Sequence, residues 1–455
     1  MRTLTRTRLG FAIALMAALA GCSGPCDKLD SINGPTLNAN GVDLTTYVAV
    51  GTSLSSGFQS GGIVDRHQIH SFPALFAHQI GKTVQIDGHG DFTQPTVNFD
   101  GIDTLKEIKS YSPLIINAVG RTLGSPTNFA QNFAYHNMGI PGAILVDLVD
   151  SSFYHPPANP VRNNFTFMNL IQRGRGTVLQ QALSLAPTIM SVEYGANEIL
   201  GPAATQGVAP APATSAVYAG VMTTAINAIH AASPGTRVAL FNVPDVTTIP
   251  FFTTLPPLPR DLSTGQPVAL IGANGPLQPG DLVLLPAGAV IARTGLGVAT
   301  GVLTELNPQV PGIGVPLPES AILRLAEVTA TQGVIAQLNL VVDTVSTRPY
   351  VTKVDLNALL STIATSGISI GGAEYTNEFI RGGLFSLDGV HPNDLGYALM
   401  ANTMIDAINA KFGCFVPPVN VLAYASTNAS AVSPVMDRYP LVQGLDESFR
   451  MLFGR

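Results

Sequence analysis

Three side chains of this 455-residue chain have the types and placement needed for nucleophilic acyl chemistry: Ser53, Asp388 and His391. A serine hydroxyl attacks poorly until a base takes its proton, and an imidazole serving as that base needs a carboxylate to hold its tautomer. Asp388 and His391 stand three residues apart in Phe385-Ser386-Leu387-Asp388-Gly389-Val390-His391-Pro392, just before a stretch with helical spacing. One loop, stiffened by Pro392, can therefore present both side chains to one serine. Ser53 follows a short apolar, β-rich run at 46–50 and sits in Gly51-Thr52-Ser53-Leu54, the pattern of a strand ending in a tight turn. At the carboxyl edge of a parallel sheet such a turn opens into a crevice. Gly57-Phe58, just beyond the serine, can shape the acyl site or simply pack. The remaining histidines, His67, His70, His78, His89, His136, His155 and His230, form no H-x-x-x-H ligand pair on a convincing helix. Phosphate-loop, dinucleotide and zinc-protease signatures are absent, so the chemistry is expected to need no cofactor and no metal.

Holding these residues together requires a scaffold, and the apolar spacing supplies one. Residues 71–80 read as a helix with Pro73 tolerated in its first turn. A short strand is expected at 84–86, loop with little regular structure at 88–121, and the start of a helix at 143–148. The next cycle is clearer: helix at 177–185, buried strand at 187–193, a turn at 195–198, and helix at 215–232 stopped by Ser233-Pro234-Gly235. Between these lies the Ala/Pro-rich stretch 201–213, which reads as flexible. A strand at 237–242 follows, then after a long interruption a helix at 320–342, a strand at 350–354, a helix from 356 and the clearest helix of all at 393–412. Apolar strands alternating with helices indicate an α/β fold with a parallel sheet covered on both faces. The interruption at about 247–318 is rich in Pro, Gly, Leu and Val and is too long for a bare loop. It is expected to be an insertion that caps the pocket beside Ser53.

The G-T-S-L at Gly51 to Leu54, the G-x-N at Gly195 to Asn197 and the D-G-V-H-P at Asp388 to Pro392 resemble, in this chain order, the sequence blocks of the GDSL-type or SGNH hydrolases. The resemblance covers most of residues 46–412. It implies a three-layer α/β/α sandwich with a mostly parallel, flavodoxin-like sheet, and a serine esterase or lipase working through an acyl-enzyme. It also implies that Ser53 attacks the carbonyl with Asp388 and His391 as its relay, while the oxyanion is held by the backbone N–H of Gly139 and the side-chain amide of Asn197. Gly142 competes with Gly139 for that role, and Asn197 has the alternative use of capping a helix. Thr52 stands where the family name has Asp, and Glu198 follows Asn197 where Asp is commoner; neither is a triad member. Asn242-Val243-Pro244 resembles the strand-end N-x-P of larger lipase-like members. A carbohydrate O-acetylesterase would use the same triad, and a non-catalytic envelope lipoprotein could share the scaffold. The absence of Trp and the Pro/Leu-rich insertion favour an apolar, lipid-like or small-molecule ester.

Composition narrows the setting. Only 11% of residues are charged, where roughly 25% is usual, which excludes a charge-rich disordered chain. With a net charge of -6 and no Lys/Arg cluster after the first ten residues, nucleic acid is not an expected partner. Arg2, Arg6 and Arg8 followed by an apolar run at 9–20 read as an export signal too short to anchor by itself. Leu19-Ala20-Gly21-Cys22-Ser23 resembles the bacterial lipoprotein box. The expectation is therefore a signal peptide at 1–21, a lipidated Cys22 with a tether to residue 44, a hydrolase domain at 45–415, and a C-terminal extension at 416–455 packed on it. Ser23 fits sorting to an outer membrane, on its periplasmic or cell-surface side. Cys26 and Cys414 are expected to pair as a disulfide, since export permits oxidation and domain termini often lie close together.

Overall fold

Successive residues of each core strand divide between two apolar cores, which is what a sheet covered on both faces requires. The computed structural model describes residues 36–85, 90–98, 101–102, 105–118, 124–151, 165–211, 214–428, 439 and 441–442. Its central sheet contains β1 (Tyr47–Gly51), β2 (Asn137–Gly139), β3 (Ile189–Glu193), β4 (Arg237–Phe241) and β5 (Val351–Val354). All pairings are parallel and the strands lie in the order β2-β1-β3-β4-β5, one of the doubly wound orders. Val48, Val50, Met190, Val192, Val238 and Leu240 face one core. Tyr47, Ala49, Ile189, Ala239 and Phe241 face the other.

The helices that cover the sheet and frame the site are α1 (Ser53–Ser56), α2 (Phe72–Gln79), α3 (Val178–Ser184), α4 (Ala196–Gln206), α5 (Thr214–Ala232), α6 (Leu325–Ser346), α7 (Leu356–Thr365) and α8 (Asp394–Phe412). The first core is closed by α3, α5 and α6, through residues such as Val178, Met222, Ile226, Leu338 and Val342. Phe72 and Phe76 of α2 with Met404, Ile405 and Ile408 of α8 close the second. Local signals set the ends. Ser71 caps α2, Thr177 and Gln180 form a capping box on α3, and Asn393 caps α8, which stops at Gly413 with φ +69. By length and hydropathy α6 could cross a membrane, but Val328, Ile335, Leu338, Val342 and Val345 are buried in the protein core.

The expected strands and the long helices occur where the spacing placed them, with several differences. Within 88–121, Lys106–Tyr111 pairs antiparallel with Leu114–Ala118, and Leu441–Val442 of the C-terminal segment adds to that hairpin in parallel. Val84 makes only a single bridge to Phe92, and 145–148 is one 3₁₀ turn. The stretch after Gly201 stays helical to Gln206 in spite of Pro202, because Ile199, Leu200, Ala203 and Ala204 are buried and packing outweighs propensity. The helix expected from 320 starts instead at Leu325, since Ile322–Leu323 pairs with Leu282–Val283. Asn38 and Phe415 exchange backbone hydrogen bonds of 2.8 and 2.7 Å, and Leu44 is buried, so residues 38–44 belong to the folded unit and are not part of a tether. The signal peptide, Cys22 and Cys26 lie outside the described residues; Cys414 is buried beside Asn409.

Candidate active site

The register of the sheet brings Gly51, Gly139 and Glu193 side by side at its carboxyl edge, where β1 turns into α1. Thr52 caps this short helix, Gly57 ends it in a left-handed conformation, and Ser53 lies in the first turn with 4% of its surface exposed. The crossing is tight. A Cβ on Gly51 would collide with Ser55 Oγ and come within 2.9 Å of Glu193 Oε2.

Asp388 and His391 meet as their spacing predicts. His391 Nδ1 is 2.9 Å from Asp388 Oδ2, and both side chains are buried. Asp388 accepts further bonds from the N–H groups of Gly61, Val390 and His391 at 3.0, 2.9 and 2.9 Å, and from Ser386 Oγ at 3.2 Å. Burial pushes its carboxyl up, but the attraction of His391 and these donors outweigh it and hold the group below the usual carboxylate range. The loop is closed by the Ser386 N–H donating to His391 O at 2.8 Å. Phe58 packs its ring 4.6 Å from the imidazole of His391, so it braces that side chain and does not line the cavity.

Ser53, His391 and Asn197 open onto one cavity of about 730 Å³, mouth included. Apart from these and Thr52 its walls are almost wholly apolar: Leu200, Val246, Leu356, Leu359, Leu360, Ile363, Leu384, Phe385 and Met400 among them. Four of these residues form one stripe of α7, at the i, i+3, i+4, i+7 spacing of a helix face. The segment 247–318 contributes only Ile249. The expected cap is therefore corrected. Most of the insertion folds around its own core of Leu255, Leu270, Val283, Ile291, Val298 and Leu317. Its edge supports the loop bearing Asp388 and His391: the Phe251 N–H donates to Gly389 O at 2.8 Å, and the Leu285 N–H to Phe251 O at 2.9 Å.

Asn197 lies in the first turn of α4, just after Gly195, whose φ of +124 lets strand β3 turn sharply into the helix. Its Nδ2 donates one N–H to Ala143 O at 2.7 Å. Gly139 is not brought to the cavity. Its N–H donates to Asn137 Oδ1 at 3.1 Å, and a Cβ there would run into the backbone of Ser55 and Ser56. Glycine is needed at 139 so that α1 can cross β2, a packing demand the sequence cannot distinguish from a donor's. The competing Gly142, with φ +75, lies in the turn immediately before Ala143, the residue that Asn197 grips.

No family model and no curated protein matches this chain. Two further features were not legible from the sequence. Glu193, a charged residue ending an apolar strand, lies beneath the Ser53 turn and accepts from the Thr52 N–H at 2.9 Å, from Thr52 Oγ1 at 2.9 and 3.0 Å, and from Ser55 Oγ at 3.1 Å. Burial pushes its carboxyl up to about 7, against the downward pull of these donors. Asp394 at the head of α8 accepts from Gln59 Nε2 at 2.6 Å and lies 3.7 and 4.0 Å from His67 and His70 nitrogens, tying the Ser53 segment to the helix that follows His391. Among the described residues no three or more His, Cys, Asp and Glu are grouped to hold a metal ion.

Proposed function

We propose that the chain is a serine ester hydrolase of the SGNH type, cleaving carboxylic esters through a Ser53 acyl-enzyme. The observation that carries this reading is the Asp388–His391 pair opening onto the same apolar cavity as Ser53 and Asn197. Asp388 keeps a proton on His391 Nδ1, which leaves Nε2 as the acceptor for the Ser53 hydroxyl proton. The Ser53 oxygen attacks the ester carbonyl, and the developing oxyanion is met by the second Asn197 Nδ2 N–H and the Ser53 N–H. Collapse expels the alcohol, protonated by His391; water activated by the same imidazole then frees the acid. Losing one oxyanion donor costs about 3 kcal/mol, or about 10² to 10³ in turnover. The doubly wound sheet with Ser53 at the β1/β3 switch point supports the SGNH fold as its scaffold.

The apolar walls favour an ester with a hydrocarbon group over an acetylated sugar, whose hydroxyls would find few partners there. The basic and apolar N-terminal pattern ending in Leu19-Ala20-Gly21-Cys22 supports a location in the cell envelope, as a lipoprotein held by Cys22. The test is hydrolysis of p-nitrophenyl esters by the wild type and by Ser53→Ala, with and without EDTA. A loss of at least about 10³ in the variant and no effect of EDTA are expected. Equal rates in both proteins would overturn the reading.

A further inference from the structure

We propose that Glu193 is a positioning residue for Ser53, its ionised carboxylate holding the turn between β1 and α1 so that the serine oxygen faces His391. The inference rests on the hydrolase reading above. Its basis is geometric. Glu193 reaches up from the strand beside β1, 3% exposed, and its carboxylate accepts hydrogen bonds from that turn: from the Thr52 N–H, Thr52 Oγ1 and Ser55 Oγ. These three donors bracket Ser53 on both sides in sequence. Gly51 leaves the space that the carboxylate and Ser55 Oγ occupy, since a Cβ there would meet both. The departure of Thr52 from the family's Asp acquires a reason: with Glu193 below, an Asp at 52 would set two carboxylates together in a buried site. Here β3 supplies the carboxylate and Thr52 supplies donors to it.

A carboxylate can accept from three donors at once; a protonated acid must donate one bond and gives up part of that set. Protonation of Glu193 therefore loosens the turn. The titratable groups that feel its charge are the phenols of Tyr194, next in the chain, Tyr218 on α5 and Tyr397 on α8, all pushed well up by burial and so neutral. With the carboxyl raised by burial to about 7, the serine turn tightens as pH rises through neutrality.

The test compares wild type, Glu193→Gln and Ser55→Ala on a short ester across pH. Glu193→Gln is expected to lower kcat about tenfold to a hundredfold with KM unchanged, because a misplaced nucleophile slows chemistry more than binding. It should also remove one ionisation from the acid limb of the kcat profile. Ser55→Ala, which keeps the charge but removes one donor, should shift that ionisation to higher pH and have no such effect when combined with Glu193→Gln. Ser53 labelling by a fluorophosphonate is followed in the same samples. A labelled wild type with an unaltered kcat and acid limb in Glu193→Gln, or no shift in Ser55→Ala, overturns the positioning role alone. An unlabelled wild type overturns the hydrolase reading and this role with it.

Discussion

Replacing Glu193 by Gln removes a charge that burial resists while nearly preserving the side chain's shape, so its effect on stability should oppose its effect on turnover. The carboxyl moves from an ordinary 4.5 to about 7 in the folded protein. The native state thus holds the proton more tightly than the unfolded chain. This group's contribution is full below pH 4.5, declines as pH rises, and is lost once pH has passed about 7. At about 1.4 kcal/mol per pH unit of displacement the total is about 3 kcal/mol. Gln does not titrate. The stability of Glu193→Gln minus that of wild type, from urea unfolding at matched pH, should therefore grow by about 3 kcal/mol between pH 4 and pH 8, other titrations cancelling in the difference. A purely structural role predicts a loss of stability together with a loss of activity at pH 8. A difference that stays flat within about 0.5 kcal/mol across this range would refute the argument, since linkage ties the raised carboxyl to the slope.

Asp388→Asn should lower kcat by about 10⁴, because an amide cannot accept all of the bonds now converging on Asp388, and turning its NH₂ toward His391 reverses the tautomer; turnover within threefold of wild type would remove Asp388 from the relay. Ile363→Trp, on the α7 stripe, should reduce octanoate ester hydrolysis about tenfold relative to acetate, the order expected for losing part of an apolar site; equal effects on both esters would show that α7 does not bound the acyl group. Gly389→Ala forces a side chain into a φ of +73 against Leu285 and the Phe251 N–H. It should cost about 1–2 kcal/mol in urea unfolding and lower kcat through the triad loop, and an unchanged protein would show that the insertion does not support that loop.

What the sequence made legible was local. Asp388 and His391 share one loop, so their spacing alone brings them together, and Ser53 follows a strand whose apolar run announces itself. The parallel sheet was readable for the same reason: Tyr47 to Val50, Ile189 to Val192 and Val238 to Phe241 are buried on both faces and carry no alternation to confuse the reading. Non-local facts were hidden. Glu193 meets Thr52 from 141 residues away, and nothing near either residue signals the other. Gly139 showed that a glycine was needed but not that α1 crosses over it. Pro202 lies inside a helix because the buried residues around it outweigh its lost donor. In 247–318, length and apolar content required burial but did not say against what, and the answer was chiefly the segment itself.

The central claim is tested most directly by trapping the covalent intermediate. Wild-type protein mixed rapidly with a p-nitrophenyl ester and quenched in acid should carry one acyl group by intact mass, and peptide mapping should place it on Ser53. The adduct should be absent from Ser53→Ala and should form much more slowly in Asp388→Asn. An acyl group on a different residue, or ester cleavage with no adduct at Ser53 and full activity in Ser53→Ala, would contradict the account.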